Sequence, residues 1–174
     1  MEYYSGRGDK GKTDIANKRI GKDKDVIELI GTLDELNAFI GFTLSKIKYE
    51  DIRNMLKKIE RTIYIISACA SGYAALVKRE KVELVKKDVE DLENDIKSIS
   101  NETDDIVKFI YPNGSESACA LNVCRTLARK AERRAIKAKI KNEYILAYLN
   151  RLSSLLFVLS RTVNKRDGVK EEFF

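Results

Sequence analysis

The chain has 174 residues, 34% charged and 44% hydrophobic, with one proline, no histidine and a formal net charge of +6. That length supports one domain, 1–174, with a sizeable core, and so few turn residues point to long helices. The missing imidazole excludes the common zinc sites and every triad built on a histidine base. No run approaches the roughly 18 apolar residues of a membrane span and MEYYSGRGDK lacks a signal peptide's apolar segment, so a cytoplasmic location is expected.

The first 25 residues contain GRGDKGKT, residues 6–13, which fits the written pattern of a nucleotide-binding P-loop. That motif needs a strand to deliver the loop and a helix whose N-terminus faces the phosphates. Only MEYYS precedes Gly6, and DIANKRIGKDKD after Thr13 has no helical apolar stripe, so a P-loop fold is not expected. From Val26 to Ile47, Ile27, Ile30, Leu33, Leu36, Ile40, Leu44 and Ile47 recur at three- and four-residue intervals, which predicts a first amphipathic helix. A second is predicted from Asp51 to about Tyr73 on Ile52, Leu56, Ile59, Ile63, Ile66 and Ala70. A third, near Val82 to Ile99, carries a narrow seam of Val82, Val85, Val89, Leu92, Ile96 and Ile99, as an outer helix would.

FIYPNGSES, residues 109–117, joins the only proline to an Asn-Gly turn and to serines suited to capping a fourth helix, about Ser117 to Lys141. The inward positions of that helix are small, Ala118, Ala120, Ala128, Ala131 and Ala135, so neighbouring helices or subunits can approach closely. A fifth helix, Glu143 to about Asn164, holds Leu149, Leu152, Leu156, Leu159 and Val163, and the tail 166–174 is expected to fray. The whole reads as all-α, a five-helix bundle over 26–165 with mostly antiparallel neighbours. Cys69, Cys119 and Cys124 have no metal-ligand spacing and read as reduced thiols among apolar residues.

In CRTLARKAERRAIKAK, Arg125, Arg129, Glu132 and Arg133 fall on one helical stripe, where guanidinium groups can grip phosphate in pairs of hydrogen bonds. The bland alternative is a solvated basic face. Asp34, Glu35 and Asn37 in GTLDELN, and Asn150 with Arg151 in AYLNRLSSLLF, lie within apolar helices and need partners. The positive charge fits an anionic partner, either a small polyphosphate or nucleic acid. A helical nucleic-acid-binding module is the rival reading, but acid is mixed into its footprint and no aromatic residues are interleaved with the basic run.

The N-terminal YSGRGDKGKT, then GTLDELNAFIG, FIYPNGSESACAL, CRTLARKAERRA and YLNRLSSLLFVLSR, in that order, resemble the PduO-type cobalamin (corrinoid) adenosyltransferases. The resemblance implies a homotrimer with ATP bound between subunits and residues 1–25 forming an N-terminal ATP loop folded over the triphosphate. It would assign Ser5, Gly6, Arg7, Gly8, Asp9, Gly11, Thr13, Asp14 and Lys22 to ATP, together with Arg129, Lys130, Glu132, Arg133 and Asn150. Asp34 and Arg125 would form an ion pair at the site, and Phe109 would pack against the corrin and displace its lower axial ligand. Arg129, Asp34 and Arg125 are thus the implied catalytic residues. Against the family pattern, Lys130 replaces an arginine, Gly6 a basic residue, Asn122 a frequent histidine and Ser154 an aspartate.

The implied reaction is attack of cobalt(I) on the ribose 5′-carbon of ATP, expelling inorganic triphosphate. No protein base is required, which agrees with a chain that has no histidine. Arg129, Lys22, the loop amides and Mg²⁺ would stabilise the charge growing on the leaving group. A reductase upstream and an adenosylcobalamin-dependent enzyme downstream are the implied partners, with no nucleic acid and no membrane.

Overall fold

The computed structural model describes residues 3–76 and 83–174. Its elements are a hairpin, β1 (Lys12–Ile15) and β2 (Lys18–Gly21), then α1 (Asp25–Leu44), α2 (Glu50–Ser71), α3 (Lys86–Ser100), α4 (Glu116–Lys137) and α5 (Glu143–Arg166). A single 3₁₀ turn, Tyr73–Leu76, follows α2. The five predicted helices are present. The core is one cluster in which Leu33, Leu36 and Ile40 of α1 meet Ile59, Ile63 and Ile66 of α2, Leu121 and Cys124 of α4, and Leu152, Leu156 and Leu159 of α5.

Local chemistry sets the helix ends. Gly72 closes α2 in the left-handed region, φ 76°, where a side chain would be strained. Ser115 Oγ accepts from the Ala118 amide at 3.3 Å to cap α4, and Asn142 Oδ1 accepts from the Tyr144 amide at 2.9 Å to cap α5. The third helix begins later than its seam suggests: Val85 is an extended, partly exposed cap residue, and Val82 lies outside the described residues. The Asp88 carboxylate accepts from the Val85 amide at 2.8 Å and fixes that start.

Three features depart from the sequence reading. Residues 12–21, read as loop, form an antiparallel hairpin that pairs Thr13 with Ile20. The tail does not fray. Residues 171–174 lie beside 109–111, with an isolated bridge between Ile110 and Phe173 and backbone bonds at 2.9 Å from Tyr111 N to Glu172 O and from Phe174 N to Phe109 O. The alanines of α4 are covered within the protomer: Ala118, Ala128, Ala131 and Ala135 are fully buried and let α1 and α5 pack close to α4. They therefore need no second subunit to cover them.

Arg166, at the end of α5, ties three parts of the chain together. It holds Asp51 at the start of α2 through two bonds of 2.9 and 2.7 Å, and Glu102 after α3 through two of 2.9 and 2.6 Å. These hydrogen bonds are the main reason that both carboxyls sit below their usual range. Because the folded values are depressed, the stability they contribute is present above the unfolded carboxylate values and is lost as pH falls through the folded ones. Solvent screens the partly exposed pair, so Arg166→Met should cost about 1 kcal/mol at pH 7, a fall of about 2–4 °C in melting temperature. The gap between the two proteins should narrow as pH drops from about 5 to about 3. A gap that stays constant across that range in thermal melts would show that the ion pairs are not its source.

Candidate functional site

Between α1 and α4, three of the six basic groups of α4 are matched to acids. Lys130 meets Glu35 at 2.8 Å, Arg134 meets Glu28 at 3.0 Å and Lys137 meets Asp25 at 2.9 Å. The remaining three arginines are not. Arg125 finds only a neutral partner, the side-chain oxygen of Asn122 at 3.0 Å. Among the described residues no carboxylate lies within ion-pair distance of Arg129 or Arg133, and both are exposed. Burial, and secondly the charge of Arg129, push the Arg125 guanidinium below its ordinary value, a cost that a bound anion would relieve.

Glu132, on the same stripe, accepts from Asn150 Nδ2 at 2.9 Å, while Asn150 Oδ1 accepts from Arg151 at 2.8 Å and Arg151 meets Glu93 at 3.0 Å. Asn150 is thereby fixed at the α4–α5 seam and remains exposed. Lys130, turned towards Glu35, serves as a tie between helices in this state.

The N-terminal loop has its own internal order. Asp9 N bonds to Gly6 O at 3.2 Å, Gly11 N to Gly8 O at 3.2 Å, and Lys22 N to Gly11 O at 2.8 Å, which closes the loop onto the hairpin. Asp14 holds Arg19 at 3.1 Å and Arg7 at 3.1 Å, and Arg19 also donates to the Arg7 carbonyl. Lys22 lies over the loop, its amine 3.1 Å from where a side chain on Gly8 would begin. Ser5, Gly6, Asp9, Gly11 and Asp14 are exposed, and Gly8 and Thr13 partly so. Thr13 leads into a strand, so Lys12 and Thr13 do not open a helix as a P-loop requires.

Strand β1 borders a groove of about 420 Å³ between α1 and α2, lined by Thr13, Asp14, Ile15, Asp34, Asn37 and Tyr64 among others. Asp34 is exposed there, and Asn37 Oδ1 is buried without a hydrogen-bond partner. Arg125 lines a different cavity. The expected Asp34–Arg125 pair is therefore not formed within the protomer, where Asn122 takes its place. No hydrogen bond or ion pair among the described residues joins 5–22 to α4, so the loop and the arginine stripe remain separate parts of one chain.

Arg125 opens instead into a cavity of about 440 Å³ that also takes in Phe109, Pro112, Asn122, Phe157 and Arg161. Phe109 is 85% exposed, so its ring takes no part in the core of the protomer. Sequence reasoning missed three parts of this wall: Asn122 as the partner of Arg125, the buried Arg161, and the tail that pairs with 109–111. The serine-flanked Asn-Gly turn was the one visible signal. Gly114, φ 126°, stands where a side chain would meet Asn164 at 2.1 Å, and Asn164 holds both Asn113 O and Ser115 N.

The cysteines carry no part of the site. Cys124 is buried against Thr43 at 3.3 Å, and burial raises its thiol to about 11. Among the described residues no helix is long and apolar enough to cross a membrane.

Comparison with known proteins identifies the family. The cobalamin adenosyltransferase family model matches residues 3–163. A corrinoid adenosyltransferase of Bacillus subtilis is 36% identical over 97% of this chain and 90% of its own length, and one of Homo sapiens is 31% identical over 99% and 73%. A solved variant of the PduO-type ATP:corrinoid adenosyltransferase from Lactobacillus reuteri, complexed with cobalamin and ATP, superposes with a TM-score of 0.90 at 27% identity, covering 99% of this chain and 96% of that one. With the family model matched over residues 3–163 and the five-helix fold shared, the chain belongs to the cobalamin adenosyltransferase family.

Proposed function

We infer that this chain is an ATP:corrinoid adenosyltransferase, which moves the 5′-deoxyadenosyl group of ATP to the cobalt of cob(I)alamin and releases inorganic triphosphate. The observation that carries the reading is the sorting of charge on α4. Lys130, Arg134 and Lys137 are neutralised by α1, whereas Arg125, Arg129 and Arg133 have no carboxylate partner among the described residues. An unmatched guanidinium stripe suits a polyphosphate whose charge rises as it leaves.

Asp34 and the phosphate loop lie on the α1–α2 side while the arginines lie on α4, so one copy of the chain does not close the site. We place ATP between subunits of a homotrimer, where the loop of one subunit covers the arginines of the next and Asp34 reaches a neighbour's Arg125. Exposed Phe39, Phe42 and Val123 supply apolar surface for such contacts.

Residue roles follow from this placement. Arg129 and Arg133 bind and orient the triphosphate, Lys22 and the loop amides of Gly6 to Gly11 close over it, and Asn150 with Glu132 buttresses the stripe. The corrin substrate supplies the nucleophile, and Phe109 crowds its lower face. Among the described residues no group of three or more acidic or thiol side chains is disposed to hold an ion. Mg²⁺ would be held chiefly by the phosphates of ATP, the usual mode for this ion.

Arg129→Ala should lower kcat by about 10²–10³ at saturating ATP, and Lys12→Ala far less, since a strand and not a helix follows Lys12. Light scattering should give three chains for the parent and for both variants. The opposite order of loss, or a fully active monomer, would contradict the shared site.

Phe109→Ala separates reduction from packing. The ring is so exposed that its loss should change stability by no more than about 0.5 kcal/mol. Adenosylation should slow strongly when cob(II)alamin and a weak reductant are supplied, and much less when cob(I)alamin is formed beforehand. Equal losses in both assays with a lowered melting temperature would return Phe109 to a structural role.

A further inference from the structure

The segment that carries Phe109 has few supports of its own, and those it has converge on the chain's last residues and on one buried arginine. Arg161, on α5, has a side chain only 7% exposed. Its Nε donates to Glu171 Oε1 at 2.6 Å, and its Nη2 donates to Glu171 Oε2 at 3.0 Å and to the Asp104 carbonyl at 2.9 Å. One guanidinium thus grips both the start of the 104–111 segment and the tail. The tail then holds the other end. Glu172 O accepts from Tyr111 N, Phe174 N donates to Phe109 O, and Asn113 Nδ2 donates to Glu172 Oε2, each at 2.9 Å. The rings of Tyr111 and Phe174 meet edge to face at 6.3 Å.

We propose that Arg161 and Glu171 form a buried clamp whose work is to position Phe109, which makes Arg161 a positioning residue for corrin substrate. The proposal rests on the transferase reading above for what Phe109 faces. The clamp itself rests on geometry. Among the described residues, the bonds that anchor the segment from Asp104 to Tyr111 to the rest of the chain run to Arg161, to the tail or, more loosely, to Lys165, 3.7 Å from Asp104. A charge buried to this degree is held only while its partner is present, because an unpaired buried guanidinium is strongly unfavourable. Loss of Glu171 therefore frees the tail and, with it, the Phe109 carbonyl and the Tyr111 amide. Neither residue is among those placed on ATP above, so the consequence should fall on one substrate alone.

Glu171→Gln keeps the shape and one acceptor while removing the charge, and Glu171→Ala removes both. In the full chain with Glu171→Gln, amide hydrogen exchange at Tyr111 and Phe174 should quicken by about tenfold, with the amides of α4 unchanged. In the same protein the KM for corrinoid should rise by about tenfold, while the KM for ATP stays within about twofold. Glu171→Ala should go further in both measurements, and Glu171→Asp, which keeps the charge, should recover part of each. Unchanged exchange at Tyr111 and Phe174 would overturn the clamp. Faster exchange with an unchanged corrinoid KM, or parallel rises for both substrates, would overturn the positioning role. If the parent chain formed no adenosylcobalamin, the transferase reading would fall, and the exchange measurement would still decide the clamp.

Discussion

The seam between α1 and α4 governs the rest of the molecule. Fully buried alanines at 118, 128, 131 and 135 bring α4 close to its neighbours, and at that range three of the four α1 acids, Asp25, Glu28 and Glu35, each meet a basic partner on α4. Exposed ion pairs of this kind are individually weak, so their stabilising value is small. Their greater effect is to sort the charge of α4 into a neutralised edge and an unmatched arginine stripe. A helix with the same net charge but a different register would present no such stripe. Packing of small residues thus sets where anion-binding capacity appears.

Much of this architecture could be read in the sequence. The helices that became α1, α2, α4 and α5 announced themselves through apolar residues at three- and four-residue spacing, because each buries one broad stripe in a shared core. The seam of α3 misled at its start: Val85 continues the spacing, yet it is the cap, and Leu84 beside it is the residue that enters the core. The hairpin at 12–21 was illegible because two four-residue strands are too short to show alternation against a basic background. The tail was misread for a different reason. Its order depends on a buried ion pair between Arg161 and Glu171, and no periodicity reports a tertiary contact of that kind.

The site residues divide in the same way. The arginine stripe and the glycine-rich N-terminal segment could be picked out by spacing and by resemblance, and Arg129 and Arg133 are exposed in the fold. Which cations are already satisfied could not be read. Lys130 stands one residue from Arg129 in sequence, yet Glu35 neutralises it because it faces α1. Phe109 shows the converse. Nothing in the sequence around Phe109 tells whether the ring is covered, and its exposure emerges only from how the tail and the Asn164-held turn carry the segment outward.

The central claim is that the unmatched stripe serves departure of an intact triphosphate, with no hydrolytic chemistry on the phosphates themselves. The most direct test is to incubate the purified chain with ATP and chemically reduced cobalamin and to quantify adenosylcobalamin and the inorganic product together. The account predicts one inorganic triphosphate for each cobalt–carbon bond formed. Release of orthophosphate or pyrophosphate without adenosylcobalamin would contradict it.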